Sequence, residues 1–439
     1  MSDDYLSRPY AVPSHRLGRM ARLGGLTGGL LGRAALAGAR DLARGRRPAL
    51  GSAFLTPANA AHLASELARM RGAAMKLGQL LSMEAGEYLS PDLADILSRL
   101  RSEAHAMPGS QLKRVLSDNW GTDFLTRFRS FDVRPVAAAS IGQVHRAETK
   151  DGRALAVKVQ YPGVRDSIDS DIRNLGALMR WSGLAPRGMD LSALLEDARA
   201  QLHDEADYGA EARMLDRFGA LLADDPRFAV PEGVPEFSTR DILAMTWMDG
   251  VPIETLAAAD QELRDEVAAR LIALTLRELF AFRLVQTDPN FANFRWNAEA
   301  GRIVLLDFGA ARDYPEPLVA EFRALLRAGL AGDRDDMRAA ATRIGYLSDD
   351  LSPARLSALL DMMEMCFEPL RDDRPFDFAR SDLPQRLTAA AMAFGRDRDI
   401  APVPPADALF LQRKVAGLYL LAARLGARVA LRPLLAPYA

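Results

Sequence analysis

The order of sequence patterns predicts an α+β protein of two lobes with a helical extension in front. Three observations carry that expectation: helical periodicity before residue 120, a short β-rich block after it, and a mostly helical remainder. The chain divides accordingly into a basic, Gly-rich segment at 1–55, a helical extension at 56–120, a β-rich region with inserted helices at 121–250 and a helical lobe at 251–439.

Pro57 opens the extension, in which Leu63, Leu67, Met70, Ala74, Leu77, Leu80 and Leu81 recur at three- and four-residue steps. Gly86 and Pro91 divide it into two helices, and a further helix is expected at 111–117. Short β-type runs then cover 141–147, 154–160 and 241–247, with Asp151-Gly152 as the hairpin turn between the first two. Helices are expected at 165–181, 191–223 and 260–282, a second strand pair at 294–296 and 303–306, and helices only from Pro317 onward. No fixed-period repeat or low-complexity run interrupts this order.

Composition narrows the class. With 439 residues, 49% hydrophobic and 26% charged, the chain matches ordinary globular protein and excludes a mainly disordered or fibrous one. Its 56 basic and 58 acidic residues leave a net charge of −2, which argues against a nucleic-acid partner. A single cysteine, Cys366, permits no intrachain disulfide and fits a reducing compartment, and five scattered histidines show no metal-ligand spacing. Only five of the basic residues are lysines, at 76, 113, 150, 158 and 414. Coding bias explains the arginine preference, but a retained lysine marks a place where a compact ammonium matters.

Residues 1–50 hold nine arginines and three acids, so this segment is +6 and the remainder −8. Within it Leu26, Leu30 and Leu31 stand among Gly24, Gly28 and Gly32, the four-residue spacing of close helix approach, and Arg33 interrupts an apolar run too short to span a bilayer. A surface-lying or partner-docking segment, a flexible tail and a signal peptide remain three readings of it. The first would give peripheral contact with an anionic inner-membrane face around an otherwise cytoplasmic body.

The densest chemistry lies between 283 and 310. Asp288 and Asn293 are five apart across a loop, and Asp307 follows 14 residues later at the end of an apolar strand, opening Asp307-Phe308-Gly309. Phosphoryl transfer from a nucleotide needs this set: an Asp beside the acceptor, and an Asn and an Asp holding magnesium over the phosphates. A lone DFG tripeptide is weak; D-x-x-x-x-N with DFG after a strand is strong. The alternative leaves Asp288 capping a turn and Asp307 ending a hairpin.

Upstream, the run 154–159 places Lys158 in an apolar strand, where an unpartnered ammonium costs several kcal/mol, roughly. Lys158 therefore requires phosphate oxygens and a carboxylate; Glu205, Asp207 and Glu211 are the candidates. Before it, Ala137, Ala138, Ala139 and Ser140 stand where a protein kinase carries flexible glycines over the phosphates, so this loop should be stiffer. His145, alone on a strand, reads as structural rather than as a base.

These motifs resemble the UbiB-type atypical protein-kinase-like family, the ubiquinone-biosynthesis kinases also called the AarF family. The resemblance runs from Ala73 to Arg312 on Lys76-Leu77-Gly78-Gln79 (KxGQ), AAASIGQVH at 137–145, AVKVQYPGV at 156–164, Glu205-Ala206-Asp207-Tyr208 with Glu211 (ExD), and LLDFG at 305–309. Gln286-Thr287-Asp288-Pro289-Asn290 looks like the coenzyme-Q branch. The resemblance implies a bilobal protein-kinase-like fold that binds ATP and Mg2+, with the KxGQ helix lying where a protein substrate would dock. It implies the pairs Lys76–Glu205 and Lys158–Glu211, Asp288 as catalytic-loop acid, and Asn293 and Asp307 as metal ligands. Met245 and Met248 fall at the adenine-side hinge, where Thr246-Trp247-Met248 departs from a common acidic residue. The paired C-terminal membrane helices of some bacterial members are missing, because Arg424, Arg428 and Arg432 interrupt 416–439.

The first functional reading is an ATP- and magnesium-dependent atypical kinase or ATPase supporting ubiquinone biosynthesis. It would act on a quinone precursor or lipid-like molecule, in company with other ubiquinone-biosynthesis proteins. A phosphotransferase of the aminoglycoside or choline kinase type and a non-catalytic nucleotide-sensing scaffold are the alternatives; KxGQ and the alanine loop argue against the former, filled catalytic positions against the latter.

Overall fold

The computed structural model describes residues 72, 73, 76, 106–182, 191–394 and 404–439. The expected N-terminal surface segment, the division at Gly86 and Pro91, and most of KxGQ lie outside the described residues. The described residues form two compact units, one ending at Arg213 and rejoined by 232–247, the other made of 214–231 and 248–439.

In the first unit, α1 (Gly109–Trp120) leads into an antiparallel sheet of β1 (Phe128–Phe131), β2 (Ala137–Ala138), β3 (Gly142–Thr149) and β4 (Ala154–Gln160). The β3–β4 register runs from Gly142 opposite Gln160 to Glu148 opposite Ala154, so the Asp151-Gly152 hairpin forms where turn chemistry places it. Two helices follow, α2 (Val164–Ser182) and α3 (Leu191–Glu205), then α4 (Tyr208–Leu222), which starts in this unit and ends in the other. The chain leaves through β5 (Phe228–Ala229) and returns for β6 (Ile242–Thr246), which closes the sheet on β4.

The single helix expected over 191–223 is two helices. Asp207 caps α4, its Oδ1 accepting the Ala210 amide at 3.0 Å, while Gln160 Nε2 donates to the Ala206 carbonyl at 2.8 Å. A helix break is thus held by its own N-cap and by the end of β4, and Glu205 and Glu211 belong to different helices.

The second unit contains a four-stranded sheet ordered β5, β10 (Arg302–Leu305), β9 (Phe294–Asn297) and β7 (Val251–Pro252), with β5 and β10 parallel. α5 (Gln261–Arg277) runs into a π-helical turn, Glu278–Phe282, so the helix expected to reach 282 changes its winding at 278. β8 (Leu284–Gln286) pairs with β11 (Ala311–Asp313). Beyond them come α6 (Glu316–Ala331), α7 (Arg334–Ile344) and α8 (Pro353–Phe367). Val319, Phe322, Met337, Ala341 and Leu360 from these helices share a core. The segment beyond Pro317 is not helical throughout: β12 (Phe376–Asp377) pairs with β13 (Arg428–Val429), on either side of α9 (Leu383–Phe394) and α10 (Ala406–Leu425).

Candidate active site

β4 alternates. Leu155, Val157 and Val159 point into the core, which turns Lys158 to the opposite face. There its Nζ donates to Glu211 Oε1 at 2.5 Å, with only 12% of the lysine side chain and 4% of the glutamate exposed. The Tyr208 ring centroid lies 5.7 Å from the same ammonium. Glu211 occupies the first turn of α4, where the helix N-terminus favours its negative form.

Glu205, at the end of α3, carries a second lysine. Its Oε1 accepts from Lys76 Nζ at 2.5 Å, and its Oε2 accepts from the Ser140 hydroxyl. One carboxylate therefore ties the extension to the alanine loop. Within that loop Ala137 and Ala138 pair with Val144 and Gln143, and the Ala139 amide donates to the Gly142 carbonyl at 2.8 Å. The loop is a closed hairpin rather than an open row of amides. Gly142 permits it: a Cβ there would stand 2.5 Å from the Val159 carbonyl oxygen and 2.9 Å from the Tyr208 hydroxyl.

His145 is buried in a chain of polar groups, its Nδ1 at 2.7 Å from the Asp132 carbonyl and its Nε2 at 2.7 Å from Gln143 Nε2. Burial pulls its pKa down to about 4, so the neutral ring accepts from Gln143 and donates to Asp132. Met245 is buried in β6 opposite Ala156, while Met248 is half-buried. Between them the Thr246 hydroxyl accepts from the Glu232 amide and the Trp247 amide donates to the Ala154 carbonyl.

In the second unit β8 delivers Thr287 and Asp288. The Thr287 hydroxyl donates to the Ala310 carbonyl at 2.7 Å, which ties the loop to the residue after Gly309. Asp288 Oδ2 accepts from Asn293 Nδ2 at 2.8 Å, and its Oδ1 accepts from the Asn290 amide at 3.3 Å. Asn290 in turn caps the short turn Phe291–Asn293. The Asn293 carbonyl accepts the Leu306 amide at 3.0 Å, directly before Asp307, whose Oδ1 accepts from Gly309 at 3.0 Å. The structure thus brings Asp288, Asn293 and Asp307 into one hydrogen-bonded loop pair.

This donor set suits Mg2+, a hard cation that takes one or two protein oxygens and completes its octahedron with water and phosphate. Because the Asn293 amide nitrogen is spent on Asp288, the amide oxygen is the end offered to a cation. Among the described residues no cluster of three or more His, Cys, Asp or Glu side chains forms an all-protein cage, and no helix is long and apolar enough to cross a membrane.

Sequence reasoning did not find the Ser140 tie to Glu205, nor a buried group formed by Glu278, Gln286 and Lys414. The scarcity of lysine was the one available signal for Lys414.

Comparison with known proteins shows the family. Residues 99–341 match the ABC1 atypical kinase-like domain. The chain is 39% identical over 421 residues to the mitochondrial atypical kinase COQ8 of Saccharomyces cerevisiae, covering 95% of this chain and 84% of that one. It is 38% identical over 430 residues to the mitochondrial atypical kinase COQ8B of Rattus norvegicus, covering 98% and 81%. Among solved structures, the Rv3197–erythromycin complex from Mycobacterium tuberculosis aligns with a TM-score of 0.60 at 28% identity, over 88% of this chain and 96% of that one. Match, identity and coverage place the chain in the ABC1 atypical kinase-like family, as an atypical kinase of the COQ8 kind.

Proposed function

We propose that the protein binds ATP with Mg2+ and spends its γ-phosphate in support of ubiquinone biosynthesis, on a quinone precursor or lipid-like acceptor or on water, rather than on a protein. The observation that carries this reading is the buried Lys158–Glu211 pair, because an ammonium held on a carboxylate in a sheet is the standard means of presenting one fixed positive charge to phosphate oxygens. Glu211 supports it by keeping Lys158 charged and aimed. Asn293 and Asp307 would hold the metal, which when bound neutralises charge on the β- and γ-phosphates.

Asp288 accepts the proton of the attacking hydroxyl or water as the new P–O bond forms and the bond between the γ-phosphorus and the ADP oxygen breaks. The Asn293 amide, bonded to one oxygen of Asp288, fixes that carboxylate. The Glu205 bridge to Lys76 and Ser140 holds the alanine loop and the KxGQ lysine together, which favours a small acceptor over a polypeptide. Peripheral membrane contact through the +6 segment at 1–50 would bring the domain to substrates that hardly leave the bilayer. Met245 and Met248 are the proposed adenine-side residues.

The test is ATP turnover by purified protein, with and without Mg2+, phenolic quinone precursors and anionic liposomes. Magnesium-dependent turnover that Asp288→Asn abolishes, and that precursor or liposomes raise, is expected. Turnover indifferent to Asp288→Asn would overturn the reading.

A further inference from the structure

Lys414 is one of five lysines and lies beyond the residues that match the family description. It is buried in α10 at 4% exposure, and a buried ammonium demands partners. Its Nζ donates to Gln286 Oε1 at 3.0 Å, stands 3.8 Å from Glu278 Oε2, and lies 5.3 Å from the Phe294 ring centroid. Gln286 ends β8, two residues before Asp288. Glu278 opens the π-helical turn, which terminates at Arg283 with φ 53°, so the backbone feeding the catalytic loop is irregular.

A second contact comes from the same face of α10, three residues on. Gly417 packs against Pro289, the residue after Asp288; a Cβ at 417 would lie 2.1 Å from Pro289 Cβ. α10 therefore touches the catalytic loop on both sides of Asp288, by a hydrogen bond at 286 and by backbone-close packing at 289.

Stability alone is a poor reason for this arrangement. Among the described residues Glu278 Oε2 and Gln286 Nε2 make no hydrogen bond, although both are buried, and an under-satisfied buried network costs more than an apolar one of the same shape. Burial also pushes the Glu278 carboxyl up to about 7, against the pull of Lys414. What the network supplies is position.

We infer that α10 braces the catalytic loop, with Lys414 as a positioning residue that sets Asp288 through Gln286, and Gly417 as the site where the helix seats Pro289. The inference rests on the reading of Asp288 given above. Its test separates position from charge burial by comparing Lys414→Met with the double variant Glu278→Gln/Lys414→Met. In the double variant no buried carboxylate is left without its cation, so thermal stability recovers most of what the single variant loses. The brace predicts that peptide 286–293 still exchanges its amide hydrogens about tenfold faster than wild type, as local opening becomes easier. It further predicts a kcat about ten- to a hundredfold down at unchanged KM for MgATP. Gly417→Ala should give the same loop exchange and the same kcat defect. Wild-type exchange in 286–293 for the recovered double variant and for Gly417→Ala overturns the brace. Faster loop exchange in a protein whose wild type shows no ATP turnover leaves the brace standing and overturns the assignment of Asp288 instead.

Discussion

Phe308, the centre of Asp307-Phe308-Gly309, packs on Phe218 of α4 with ring centroids 4.8 Å apart. Both rings are almost wholly buried. Phe218 lies in the C-terminal half of α4, so this helix seats the turn that opens at Asp307. Phe218→Ala should cost about 3–5 kcal/mol of stability. The milder Phe218→Leu should keep the fold while lowering ATP turnover more than MgATP affinity; denaturant unfolding and steady-state kinetics check the two effects.

The Lys158–Glu211 pair should show strong coupling. Lys158→Met or Glu211→Gln alone strands a buried partner and should cost about 3–5 kcal/mol. The double variant should lose less than the sum, by at least ~1 kcal/mol in a double-mutant cycle. Additive losses, measured by urea unfolding, would mean that the pair does not act as a unit. Lys158→Arg should bind nucleotide poorly, because a planar guanidinium does not replace a compact ammonium.

The alanine loop satisfies part of its own backbone as a hairpin, and Ser140 fastens it to Glu205. Ala138→Gly should loosen it and change the ratio of ATP to ADP affinity without unfolding the protein. Calorimetric titration with both nucleotides reads this ratio, and an unchanged one would remove the loop's stiffness from nucleotide selection.

Two buried groups give the stability curve opposite slopes. His145 titrates near 4 when folded against an ordinary 6.5. Its contribution is full above 6.5 and is lost as pH falls toward 4, because the unfolded chain takes the proton first. Between pH 7.5 and 5 that loss should be about 2 kcal/mol, and His145→Gln should flatten it. Glu278 runs the other way: its carboxyl is raised from 4.5 to about 7, so its contribution is full below 4.5 and lost as pH rises through 7. Glu278→Gln should therefore remove a fall in stability between about pH 4.5 and 7, opposite in sign to the His145 change over nearly the same range. Urea unfolding across pH 4.5–8.5 distinguishes the two.

What was legible in the sequence was what local rules control. The β3–β4 hairpin follows from strict alternation around Asp151-Gly152, and β4 forms over the residues its pattern indicates. The loop carrying Asp288 and Asn293 and the turn at Asp307 follow from spacing, since Asn293 is within reach of Asp288 through one short turn. The break between α3 and α4 was not legible, because Leu and Ala keep helical periodicity across it while Gln160, distant in sequence, takes the Ala206 carbonyl. Strands of two to four residues, such as β5, β7 and β12, are too short to show a period and exist only through their partners. Lys414 was visible as a rare residue, but its partners on β8 and the π turn are set by tertiary packing.

The central proposal is that Asn293 and Asp307 hold the magnesium ion that accompanies ATP. Thermal unfolding with ATP, with and without Mg2+, tests it most directly in wild type and Asp307→Asn. Ligand at a hundred times its Kd stabilises by about 2.7 kcal/mol, enough to raise the midpoint by several degrees. Wild type should show that rise with ATP only when Mg2+ is present, and Asp307→Asn, folded as well as wild type without nucleotide, should show none. An equal magnesium-dependent rise in both proteins would contradict the account.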